Sequence, residues 1–151
     1  MATLPAEPWP CGLPAVTAFL PTFPAPRVKI AVTAAISLAG VLDLGSAEAS
    51  GVGGDAVARL LGGSQAEVPE RYRMASLAAL VPLGVPQALI NGLADTTVPP
   101  SMSEAYARAA REAGDDARYF ALPGIGHREV IDPWGPPWEQ AMIQLESAFG
   151  R

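Results

Sequence analysis

The stretch Pro86-Gln87-Ala88-Leu89-Ile90-Asn91-Gly92-Leu93-Ala94-Asp95-Thr96-Thr97-Val98-Pro99-Pro100 decides the fold. An apolar run stops at Asn91-Gly92, an acid follows at Asp95, and Val98-Pro99 turns the chain toward a helix. The pattern predicts a buried strand that delivers a carboxylate onto a loop at its C-terminal end. Open α/β sheets build their sites there, in the crevice beyond the carboxyl ends of the strands. His127, the only histidine, lies on the loop after the next predicted strand.

Composition narrows what such a site can be. Half of the 151 residues are apolar and 17% are charged, the balance of one globular domain with a real core. A net charge of −5 provides no basic footprint, so a nucleic-acid partner is not expected. No apolar run is long enough to span a membrane. Arg27 is the first positive charge, so a basic signal-peptide start is missing and the expected compartment is cytoplasmic. Cys11 is the only cysteine, which rules out an internal disulfide. With one histidine as well, neither a metal site nor a cofactor is expected.

Outward from the central stretch, the elements alternate. Residues 28–40 are β-branched and nearly continuously apolar, as in a strand buried on both faces of a parallel sheet. The Gly/Ser/Ala-rich segment 45–54 reads as loop, 55–61 as a short helix stopped by Gly62-Gly63, and 64–79 as helical with Pro69 near a start. After Asp95, Ser101 and Glu104 stand at capping-box spacing. The helix they open, 101–113, carries Met102, Ala105, Tyr106, Ala109 and Ala110 along one stripe. Residues 117–122 form the next strand, and Pro123-Gly124-Ile125-Gly126 is a tight turn presenting His127. An irregular loop, 128–136, precedes a last helix from Pro137 with the stripe Trp138, Ala141, Met142, Leu145 and Phe149. Asp43, Asp115, Asp116 and Asp132 fall in loops and read as solvated. The order gives three parallel strands joined by right-handed crossover helices, an α/β fold.

These residues resemble the C-terminal half of an α/β-hydrolase. The subgroup they look most like is the dienelactone-hydrolase and prolyl-oligopeptidase type, which includes small carboxylesterases of the feruloyl, acetyl-xylan and kynurenine-formamidase kind. That family writes the segment before its catalytic acid as an apolar strand followed by His-Gly-x-x-Asp-x-x-Val-Pro. Here it reads Asn91-Gly92-Leu93-Ala94-Asp95-Thr96-Thr97-Val98-Pro99, with Asn91 replacing the usual histidine. The histidine loop, apolar-Pro-Gly-x-x-His, is matched by Leu122-Pro123-Gly124-Ile125-Gly126-His127. The resemblance covers roughly residues 27–150 on a coarse reading. It implies that Asp95 is the acid and His127 the base of a serine triad acting on a small-molecule ester or other acyl substrate. A serine hydroxyl needs such a base to take its proton, and the base needs a carboxylate to fix its tautomer. The acid precedes the histidine, as in this superfamily's order of serine, acid, histidine. The same likeness makes residues 45–80 either a cap over the site, with Tyr72 and Met74 toward substrate, or a plain surface crossover. Trp134 and Trp138 likewise read as acyl-pocket or helix-core residues.

The nucleophile is missing from this pattern. The family places it on a Gly-x-Ser-x-Gly elbow before the strand at Val28, and the sequence contains no such motif. Gly62-Gly63-Ser64-Gln65-Ala66 comes after that strand and lacks the second glycine. Residues 1–26 differ in character from residues 27–151: they hold Pro5, Pro8, Pro10, Pro14, Pro21, Pro24 and Pro26 and only one charge, Glu7. Proline at that density excludes helix interiors and central strands. Read from the third base of each codon, Met1 through Cys11 permits Gly-His-Ser-Ala-Gly-Gly-Thr-Leu-Ala-Leu, an elbow running into a helix. Residues 1–26 are thus compatible with an out-of-frame reading of the elbow region. Two functions follow as expectations: a serine hydrolase part that keeps acid and base but is inactive alone, or a non-catalytic module that self-associates through an exposed sheet edge.

Overall fold

The computed structural model describes residues 32–148. The leader at 1–26, the start of the first predicted strand at 28–31, and Phe149 lie outside the described residues. Three strands form one parallel sheet in the order β1 (Ala35–Leu38), β2 (Gln87–Gly92), β3 (Ala117–Leu122). Ala35 pairs with Gln87 and Leu38 with Ile90 on one side of β2, while Gln87 pairs with Ala117 and Gly92 with Leu122 on the other. Parallel neighbours need long crossovers. Helices α1 (Leu44–Ser50), α2 (Ala56–Leu61) and α3 (Pro69–Ala75), followed by a 3₁₀ turn at Leu77–Ala79, make the first. Helix α4 (Pro100–Glu112) makes the second. A 3₁₀ turn at Glu129–Ile131 and helix α5 (Pro136–Ala148) follow β3.

All six residues of β2 are buried, as a central parallel strand covered on both faces must be. Its side chains alternate, and Gln87, Leu89 and Asn91 share the face on which α4 lies. There Leu89 packs with Leu42, Tyr106, Ala107, Ala110 and Ala117. A second cluster, Ala47, Val52, Val57, Leu61, Tyr72 and Val98, joins α1–α3 to the loop that carries Asp95. The segment 45–80 is therefore a packed crossover, and Tyr72, 2% exposed, belongs to its interior rather than to a substrate surface.

Several local expectations need correction. Segment 45–54 is not a loop throughout, because α1 occupies most of it. Asp43 caps α1, its Oδ1 accepting the N–H groups of Gly45 and Ser46 at 3.1 Å each, and Gly51 closes it in the left-handed conformation at φ 74°. Small residues at 44–50 suit a helix whose Ala47 is fully buried. The expected capping box at Ser101 and Glu104 does not form. Pro100 takes the first helical position and Pro99 the cap, so Ser101 already lies inside the first turn. The buried stripe of α4 is Ser103, Tyr106, Ala107 and Ala110, and Ala105 faces solvent. Helix α5 starts one residue early, at Pro136; it buries Pro137 and Ala141, while Trp138, Met142 and Leu145 remain 37–40% exposed.

Asp115 is not solvated either. It is 8% exposed, and its carboxylate accepts the N–H groups of Leu83 (2.7 Å) and Gly84 (2.8 Å) and the Gln87 side-chain amide (2.9 Å). Gln87 Oε1 in turn accepts the Tyr106 hydroxyl at 2.6 Å. Burial, with the Asp115 charge nearby, pushes the Tyr106 hydroxyl up to about 12. This network ties the lead-in to β2, the strand itself and α4 together at the N-terminal end of the sheet.

Candidate active site

The site forms at the opposite end of β2. Gly92 ends the strand, and the chain turns so that the Asp95 N–H reaches the Gly92 carbonyl at 3.2 Å. The loop after β3 is joined to this turn through the backbone: Leu93 N–H donates to Leu122 O and Ala94 N–H to Ile125 O, both at 2.9 Å. The two loops approach closely enough that a methyl group at Gly92 would collide with the Ile125 carbonyl. Glycine is required at this crossing by the backbone packed over it, not by its dihedral angles.

That crossing sets Asp95 beside His127. The Nδ1 of His127 lies 2.9 Å from Asp95 Oδ2, with the carboxylate side chain 0% exposed and the imidazole 38% exposed. Asp95 Oδ1 accepts the N–H groups of Thr97 and Val98, each at 2.8 Å. Burial by itself would raise the Asp95 carboxyl; the hydrogen bonds from Val98, His127 and Thr97 outweigh it and hold the group below its ordinary value of 3.8. Asp95 is therefore ionised near neutrality and can only accept. Nδ1 of the neutral imidazole must carry the proton, which leaves the Nε2 lone pair available. Among the described residues Nε2 has no hydrogen-bond partner.

The structure thus brings together the two residues that the sequence singled out. It adds two that the sequence did not. Asn91, 0% exposed, points its amide nitrogen at Val98 O (3.3 Å) and Asp95 Oδ2 (3.5 Å). Ser103, 1% exposed, donates to Asn91 Oδ1 at 2.7 Å. The signal for both was a polar residue at a core position: Asn91 continues the alternation of Gln87 and Leu89, and Ser103 stands one turn before Tyr106. Trp134 is 94% exposed and forms no pocket wall. A cavity of about 210 Å³ opens at the N-terminal ends of the strands, lined by Ala35, Gln87, Asp116, Arg118 and Gln144 among others; neither site loop contributes to it. Among the described residues no cluster of three or more His, Cys, Asp or Glu could hold a metal, and no helix is long and apolar enough to cross a membrane.

No family model and no curated protein matches the chain. Solved structures do. Puromycin hydrolase is 26% identical, with a TM-score of 0.57 over 78% of this chain and 18% of its own. The propionate-bound thermophilic esterase Est2 of Thermogutta terrifontis is 22% identical, with a TM-score of 0.58 over 86% of this chain and 47% of its own. A bifunctional GH43-CE protein of Bacteroides eggerthii is 22% identical, with a TM-score of 0.60 over 78% of this chain and 16% of its own. The chain spans less than half the length of each of these. Its parallel sheet, its crossover helices and these likenesses together show that it carries the C-terminal part of an α/β-hydrolase fold.

Proposed function

We propose that Asp95 and His127 are the acid and base of a serine-hydrolase site for carboxylic ester or related acyl bonds, and that this polypeptide alone lacks the nucleophile. The observation that carries the reading is the 2.9 Å contact between a fully buried carboxylate and a partly exposed imidazole on adjoining loops at the C-terminal edge of the sheet. In that role His127 Nε2 accepts the proton of a serine hydroxyl as the oxygen attacks the acyl carbon. Asp95 stabilises the imidazolium, and the proton then passes to the leaving group. The resemblance to hydrolases and esterases supports the substrate class. The absence of a Gly-x-Ser-x-Gly elbow from the sequence supports inactivity of the chain by itself.

A fluorophosphonate serine probe tests this: the chain should remain unlabelled, and stoichiometric labelling at one serine would refute it. The nucleotide sequence tests the origin of residues 1–26. Codons that forbid serine across Thr3 and Leu4 would end the out-of-frame explanation.

A second reading, a self-associating module, rests on a different observation. Among the described residues β1 pairs only with β2, and Trp138, Met142, Ile143 and Leu145 on α5 are exposed. Unpaired strand edges and apolar patches favour association. Oligomers in size-exclusion chromatography would support this reading, and a monomer at high concentration would oppose it.

A further inference from the structure

We propose that Asn91, locked by Ser103, is a positioning residue for the Asp95–His127 pair. The inference rests on the acid–base reading of that pair and adds to it the group that fixes the carboxylate in place.

Chemistry dictates the orientation of the Asn91 amide. One end faces the Val98 carbonyl and Asp95 Oδ2, both acceptors, so the NH₂ group must lie there. The Asn91 carbonyl then faces Ser103, whose hydroxyl donates to it at 2.7 Å. Val98 is consequently held from both sides: Asn91 grips its C=O, and Asp95 Oδ1 accepts its N–H at 2.8 Å. The turn that presents the carboxylate is thereby pinned to the end of β2. The 3.5 Å approach to Oδ2 is too long for a strong hydrogen bond, but it aims the positive end of the amide dipole at the oxygen that holds His127.

A structural role alone explains this poorly. An apolar pair of the same shape in place of two buried, hydrogen-bonded polar residues can be nearly neutral for stability. Leu89, two residues earlier on the same strand face, shows that α4 accepts an apolar neighbour. Asn91 touches the turn whose placement decides whether Oδ2 meets Nδ1, and Ser103 holds Asn91 in that orientation.

The single histidine makes the test clean. In ¹⁵N-labelled protein at alkaline pH, the ring nitrogens of His127 report its tautomer, and the wild-type chain should show the Nδ1–H form. In Asn91→Leu that single form should be lost to a mixture of both tautomers. Ser103→Ala should shift the population the same way by a smaller amount. If Asn91→Leu fails to give a dispersed spectrum, Ser103→Ala decides alone. Folded variants that keep the full Nδ1–H population, whatever their melting temperatures, would overturn the proposal. Asp95→Ala separates this from the underlying reading: if it also leaves the tautomer unchanged, the Asp95–His127 pairing itself is wrong.

Discussion

Strand β2 carries a polar network at each end, and the two differ in one respect. At its start, Asp115, Gln87 and Tyr106 close on one another, and every donor facing the carboxylate is matched inside the protein. At its end, Asn91, Asp95 and His127 form a similar chain from Ser103 outward, but the last member, His127, is 38% exposed with Nε2 unpartnered among the described residues. Both networks use the same strand face and the same helix, with Leu89 between them. The difference separates a buried carboxylate that stabilises the fold from one whose geometry supports the proposed acid–base role. Asp115 binds only the fold's own amides, whereas Asp95 spends one oxygen on backbone amides and turns the other to a titratable ring that faces out.

Substitutions can break this contrast. Asp115→Ala should have the largest effect, since it strands two buried donors, the Leu83 N–H and the Gln87 amide, and the part-buried Gly84 N–H, and should cost about 3–5 kcal/mol in urea unfolding. The His127 tautomer should nevertheless be preserved in the folded fraction. Gly92→Ala should cost about 2–3 kcal/mol, because the added methyl meets the Ile125 backbone, and overpacking of that kind must be relieved by movement. Unlike Asp115→Ala, it should also disturb the His127 tautomer by displacing the histidine loop.

Asp95→Asn should cost about 1–2 kcal/mol near neutrality. Its pH signature sharpens the contrast further. The folded-state value of Asp95 lies below 3.8, so its ionised form contributes stability that is fully present above 3.8 and is lost as pH falls through the lowered folded value. Acid titration of urea stability should be shallower over that window in Asp95→Asn than in wild type; identical slopes would contradict the assignment. His127→Ala should have the smallest effect, within about 1 kcal/mol in a thermal melt, because a half-exposed ring contributes little to the core. A larger loss would place His127 with the structural network instead.

Much of this was legible in the sequence. The boundaries of β3 and the placing of Asp95 and His127 followed from an apolar run ended by glycine and from a proline-glycine turn, signals local enough to survive folding. Less legible were the features set by partners distant in the chain. Asp115 looks like a solvated acid until the lead-in to β2 brings the Leu83 and Gly84 amides to it, 31–32 residues away. Helix α1 was hidden in a glycine-, serine- and alanine-rich composition, although its Asp43 cap and Gly51 stop were present as signals. The capping box failed because Pro100 pre-empts the start that Ser101 would have made. Asn91 read as a departure from a motif; only its contacts with Val98 and Ser103 identify it as a support.

The central claim is that Asp95 holds His127 in the tautomer a base needs, with Nε2 free to accept a proton. The ¹⁵N spectrum of the single imidazole at alkaline pH tests it most directly. Protonated Nδ1 and unprotonated Nε2 in the wild-type chain are the predicted result; protonated Nε2, or rapid averaging between the two nitrogens, would contradict it.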